Sequence, residues 1–192
     1  MESTALDQTS DSVTSTPSKV MRVLLDGLQT AALSLLLFLA VSVSLARVRI
    51  ESISMEPTLY RGEFVLINKI AVIGGVFRRG DVIVFKYPPD PDVQYIKRII
   101  GLPGDQVLVS GGQVYINGNL LSEPYLMASP TYIGIWHIPA GSYFVLGDNR
   151  NRSNDSHVWG VVPRENIVGK AELIYWPPNE VGFISSTQTT PH

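Results

Sequence analysis

The sequence contains no cysteine, which excludes disulfides, thiolate catalysis and the usual structural zinc sites. That absence fits any redox compartment. Charge is scarce too: 17% of the 192 residues are charged, and the net charge is −2. Nothing in that balance invites nucleic acid, which calls for a basic patch. Histidine is limited to His137, His157 and the terminal His192. None of them sits at a metal-ligand spacing, so neither a metal nor a cofactor is expected. A G-x-S-x-G elbow is missing, although a Ser–His–Asp triad stays open. Beyond residue 50 no segment holds a 3.6-residue apolar period, and no repeat occurs.

What is present begins with apolar residues, 45% of the chain. The first 18 residues, "MESTALDQTSDSVTSTPS", are an exception and read as a disordered polar tail. Then "LQTAALSLLLFLAVSVSLA", Leu28 to Ala46, runs without a charge. Nineteen helical residues reach roughly 28 Å, close to the thickness of a bilayer core. A transmembrane helix over 23–46 is therefore expected. A cleaved secretory signal competes, because "SLA" before Arg47 supplies small residues for a cut. The stretch is longer than the usual signal core of about 7–15 residues. A buried soluble helix is the third possibility. Basic residues flank both sides, so their distribution does not orient the span.

From Val48 the texture changes to short β-rich runs separated by Gly, Pro and Asn: "EFVLINK", "DVIVFKY", "QYIKRII", "QVLVS", "QVYING", "SYFVLG" and "NIVGKAELIYW". "VSGGQV" and "INGNL" are hairpin signals, because paired residues at φ > 0 match the twist of the flanking strands. The expected fold is mostly β, an antiparallel β-sheet domain over 48–185 behind a single N-terminal transmembrane helix, with a C-terminal tail over 186–192. Arg79-Gly80-Asp81 reads as a turn leading into a strand. Tyr132, Ile133, Ile135 and Trp136 suit either core packing or a membrane-facing edge. Asn151 and Asn154 head glycosylation sequons inside the segment that carries the chemistry discussed next.

A serine nucleophile needs a base, and a lysine serves if burial lowers its pKa. Of the five lysines, Lys97 is the unusual one. In "YIKRII" a period of two puts Tyr95, Lys97 and Ile99 on one face and Ile96, Arg98 and Ile100 on the other. One of the two charges must share a face with apolar neighbours. If it is Lys97, desolvation moves its pKa from about 10.4 towards about 7–8. An ordinary strand lysine that snorkels to solvent is the alternative.

"SISMEPTL", "RRGDVIVFKYP", "YIKRIIGLPGD" and "GDNRNRSNDSHVWGVVP", in that order behind a membrane span, resemble the boxes of type I signal peptidases, Ser/Lys-dyad enzymes that remove signal peptides from exported proteins. The resemblance runs from about Ser52 to Pro163. It implies Ser54 as nucleophile, Lys97 as general base, and Ser52 as a partner of the Ser54 N–H in the oxyanion hole. It matches Ser153 to a serine that orients the lysine and Asp155 to a supporting acid. Met55, Leu59, Tyr95 and Ile96 are expected to wall pockets for small residues of the substrate. Where many bacterial members have arginine, this chain has His157, as a cyanobacterial or plant-organelle enzyme would tolerate. The implied partners are preprotein signal peptides and the lipid bilayer. The implied placement is a cytoplasmic N-terminus with the catalytic domain on the export side of a bacterial plasma membrane or a thylakoid membrane. A self-cleaving repressor-type Ser/Lys protease and a non-catalytic membrane-tethered β-binding module are the alternatives.

Overall fold

The structure, a computed structural model, describes residues 19–75 and 77–186. The tail expected over 1–18, and all but the first residue of that over 186–192, lie outside them. The chain forms two compact units, residues 1–41 and 42–192. Helix α1 (Lys19–Ser44) contains, from Lys19 to Leu39, the one described stretch long and apolar enough to cross a membrane. It ends two residues earlier than the sequence suggested. Leu45 and Ala46 belong to strand β1 (Leu45–Arg49), where a ladder to β2 (Phe64–Asn68) pairs Leu45 with Asn68 and Arg49 with Phe64. Cross-strand hydrogen bonds here outweigh helix propensity, which is a weak prior.

The remaining elements follow in chain order. They are α2 (Ile70–Gly74), β3 (Val82–Tyr87), β4 (Asp90–Gly101), β5 (Gln106–Ser110), β6 (Gln113–Ile116) and β7 (Asn119–Leu120). After these come β8 (Gly134–His137), β9 (Ser142–Leu146), α3 (Ser156–Trp159), β10 (Val162–Pro163), β11 (Ile167–Trp176) and β12 (Gly182–Phe183). Every pairing is antiparallel. The large sheet runs β1-β2-β11-β3-β4-β9-β10, with β12 added to β11, and the small sheet runs β7-β6-β5-β8. Both expected hairpins form. Gly111 and Gly112 at φ 60° and 77° join Ser110 to Gln113, and Asn117 and Gly118 at φ 51° and 84° join Ile116 to Asn119.

Alternation along the strands builds the core. Val65 and Ile67 of β2, Val82 and Val84 of β3, and Met55 and Leu59 form one cluster. Ile83, Phe85, Ile99 and Val145 form another on the opposite face. In "TYIGIWH" the two readings divide by residue: Tyr132 and Trp136 pack on the core, while Ile133 and Ile135 are exposed. The Arg79-Gly80-Asp81 tripeptide is a turn, with Gly80 at φ 91° and buried Asp81 accepting the Arg78 N–H.

One detail of the topology positions the chemistry. β4 pairs with β3 from Gln94 to Arg98, but with β9 only from Arg98 onward. Among the described residues, its other edge at Gln94–Lys97 therefore carries no strand, and β1 ends the sheet with an edge of its own.

Candidate active site

Ser54 lies on a tight turn after β1, closed by the Glu56 N–H to the Ile53 carbonyl at 3.2 Å and the Leu59 N–H to the Met55 carbonyl at 2.9 Å. A second loop clamps this turn: the Asn149 N–H donates to the Ser54 carbonyl at 3.0 Å, and Asn149 Nδ2 donates to the Ile53 carbonyl at 3.1 Å. Two adjacent carbonyls are thus fixed before any substrate arrives. Lys97 reaches in from β4. Its Nζ donates to Ser54 Oγ at 2.7 Å and to the Ile96 carbonyl at 3.0 Å. Ser54 and Lys97 are only 6% and 4% exposed. Burial lowers the Lys97 pKa to about 8, against smaller upward pulls from the carboxylates of Asp155 and Asp148. Near neutral pH a usable fraction of the amine is thus free to accept a proton.

Ser52 points to the same side of the chain as Ser54. Its Oγ lies 3.0 Å from Ser54 Oγ, and the Ser54 N–H is directed at it across 3.5 Å. A hydroxyl and an amide N–H beside one nucleophile are the donors an oxyanion needs. Asp155 is fully buried and takes several bonds at once. Oδ2 accepts the Gly147 N–H at 2.9 Å, while Oδ1 accepts the His157 N–H at 3.2 Å and contacts His157 Nδ1 at 2.7 Å. The His157 ring stacks on Tyr132, centroids 3.9 Å apart. The imidazole thus meets Asp155 at the place where the resemblance has a guanidinium.

One contact implied by the resemblance is not formed, and one expectation needs correction. Ser153 Oγ is buried but makes no hydrogen bond, to Lys97 or to any other described group. It sits against Gly147, where a Cβ would collide with both Ser153 Oγ and the Ser54 carbonyl oxygen. Met55 and Leu59 do not wall the cleft. Both are 0% exposed and packed in the core cluster with Val65 and Val82, because the turn that aims Ser54 outward aims Met55 inward. Tyr95 and Ile96 do line a cleft of about 380 Å³ together with Val48, Ile50, Ser52, Ser54 and Lys97.

The choice between Lys97 and Arg98 was also too narrow, since both are buried. Arg98 forms a bidentate pair with Asp148 at 2.9 and 2.7 Å, and donates to the Gly80 and Ser185 carbonyls. That pair holds the arginine charged, with its pKa raised above the ordinary value despite burial. It also ties the strand of Lys97 to the loop of Asn149. Arg150 is tied likewise to Glu123, with Nη1 to Oε2 at 2.7 Å. Strand period could have flagged Arg98, but nothing in the sequence announces which distant acid answers it.

Comparison with known proteins adds independent findings. The family model described as "Signal peptidase, peptidase S26" matches residues 24–176. The signal peptidase I of Leptolyngbya laminosa is 45% identical over 168 residues, 83% of each chain. A probable signal peptidase I-2 of Synechocystis sp. is 43% identical over 165 residues, 82% of this chain and 75% of that one. The chloroplastic thylakoidal processing peptidase 1 of Arabidopsis thaliana is 39% identical over 143 residues, 69% of this chain and 42% of that one.

Proposed function

The chain belongs to the signal peptidase family, peptidase S26, and is a membrane-anchored serine endopeptidase that removes signal peptides; from that premise we propose that Ser54 and Lys97 perform the cleavage. The observation that supports this most directly is the 2.7 Å contact between Lys97 Nζ and Ser54 Oγ, with the lysine pKa near 8. Neutral Lys97 takes the Ser54 proton as Oγ attacks the scissile carbonyl. The Ser54 N–H and Ser52 Oγ turn from each other to the developing oxyanion. The proton on Lys97 passes to the leaving amine. The freed lysine then activates water to hydrolyse the acyl-enzyme.

Substrate enters as an extended strand in the gap between the edge of β4 at Gln94–Lys97 and the segment from Val48 to Ser54. Alternate side chains of that strand face the cleft floor, and the apolar surfaces of Ile50, Tyr95 and Ile96 leave room for small ones. Ser153 acts as a positioning residue for Lys97 once substrate has displaced the resting contacts, and Asp155 holds that corner. The N-terminus lies in the cytoplasm, with residues beyond Arg47 on the export side of a plasma or thylakoid membrane, where preproteins emerge. The β domain spans 48–185.

The deciding experiment incubates the detergent-solubilised chain with a preprotein and sequences the new N-terminus. A cut after the signal peptide that is lost in Ser54→Ala supports the assignment. Full cleavage by a folded Lys97→Ala variant overturns it in favour of a histidine base.

A further inference from the structure

The cleft that holds Ser54 and Lys97 has a rim whose charge the cleavage chemistry does not use. The turn Arg150–Arg152 carries two arginines with opposite surroundings. Arg150 is buried and answered by Glu123. Arg152 is exposed and lines the cleft, as does Asn154 two residues on. Between them Ser153 is extended, at φ −128° and ψ 128°, with its hydroxyl against Gly147. Alternation along this segment sends Ser153 inward and its two neighbours towards the cleft. We propose that Arg152 is a specificity-determining residue that binds a carboxylate side chain of the substrate next to the scissile bond. This rests on the reading of the cleft as the place where Ser54 and Lys97 cut preproteins.

The charges of the cleft leave one group over. Arg49, Glu51, Lys97 and Arg152 are the charged residues that line it. Arg49 and Glu51 face each other across 3.7 Å. Lys97 is bonded to Ser54 and to the Ile96 carbonyl, and it must be neutral to act. Arg152 donates its backbone N–H to the Asn149 carbonyl at 3.0 Å. Among the described residues its guanidinium has no ion-pair partner. Elsewhere on a surface water would serve as that partner. In the cleft an incoming strand displaces water, and a guanidinium left unanswered would weaken binding. A carboxylate on the strand restores the bonds with two parallel N–H contacts. An amide matches that fork less well, and an ammonium is repelled by it.

The fold also places the carboxylate along the substrate. The turn that carries Arg152 is pinned at the catalytic end of the cleft, because Asn149 holds the Ile53 and Ser54 carbonyls. The residue it reads is therefore close to the bond being cut. In an extended substrate successive side chains face opposite ways. With the small residue before the cut facing the cleft floor, its two neighbours face the rim. The acid thus belongs to the second residue before the cut or to the first after it.

The test uses the full chain in detergent and one preprotein, altered to Glu or to Gln at each of those two positions in turn. The readout is kcat/KM for the Glu form divided by that for the Gln form. Any general effect of a substitution on folding or on Lys97 cancels in that ratio. Wild type should favour Glu at least about threefold at one of the positions at low salt. The preference should shrink as salt is raised. Arg152→Gln should bring the ratio to about one and Arg152→Glu should take it lower, while Arg152→Lys keeps part of the preference. A wild-type ratio of about one at both positions, or a preference that survives Arg152→Gln, overturns the proposal. Cleavage of the unaltered preprotein that persists in Ser54→Ala would instead overturn the reading of the cleft itself.

Discussion

Lys97 is where function and stability oppose each other most directly. Its pKa falls from 10.5 to about 8 on burial, so the folded protein holds that proton less tightly than the unfolded chain does. The cost to folding is full below the folded value and fades as pH climbs towards 10.5. The shift corresponds to about 3 kcal/mol at most. Lys97→Met, which keeps the volume and removes the charge, is expected to be inactive yet more stable at pH 7, with the gain shrinking by pH 10. Thermal melts at both pH values check this, and a loss of stability at pH 7 would count against it. As the proposed general base, the same residue should set the acidic limb of kcat/KM, expected near 8 rather than the value of about 6.5 that a histidine base would give. Ser153 makes the converse case. Its buried hydroxyl has no partner, so Ser153→Ala should leave the melting temperature unchanged or higher. On the proposed role of positioning Lys97 during turnover, the same substitution should still cost at least about tenfold in kcat. Unchanged kcat would reduce it to packing.

Among the elements, the corner from Gly147 to Trp159 couples most to the chemistry, and Asp155 is its pivot. The carboxylate caps α3, holds the Gly147 N–H and meets the His157 ring. It also pulls the Lys97 pKa upward. Asp155→Asn should move the acidic limb of the pH profile below 8 and lower stability by about 1–3 kcal/mol, because its NH2 replaces one of the two oxygens that accept the Gly147 and His157 N–H groups. A limb that moves upward would show that Asp155 does not act on Lys97 through its charge. This corner shows how far the sequence can be read. Short β-branched runs bounded by turn residues, such as "DVIVFKY" and "QVLVS", were legible, as were both Gly- or Asn-containing hairpins. β8 was missed because "GIWH" alternates over only four residues, and β1 because its first two residues continue an apolar run. Ser54, Lys97 and Asp155 could be named from motif boxes. The burial of Met55 and Leu59 could not, because a turn breaks the period that fixes which way a side chain points. The Arg98–Asp148 pair joins positions 50 residues apart, a separation that no local pattern encodes.

For the whole molecule, the proposed topology makes a sharp prediction. Protease added from the cytoplasmic side of sealed vesicles should remove no more than the residues before the span, leaving an active β domain. The readout is the size of the protected fragment together with its activity on preprotein from the other side. Loss of the β domain under those conditions would invert the topology. The two apolar face clusters of the large sheet and the cluster under the small sheet lie within residues 42–192, so this unit has its own core. Its melting should then be a single transition in detergent, whether or not residues 1–18 have been trimmed.

The empty strand position beside Gln94–Lys97 has a consequence in time as well as in space. A gap that takes one extended chain reads conformation before it reads sequence, so any preprotein whose cleavage segment has folded into a sheet is hidden, whatever its residues. On the proposed binding mode, processing is a race between arrival at the gap and folding of the newly exported chain. Exported proteins that fold quickly up to their new N-terminus should need a longer unstructured run after the cut than slow folders do.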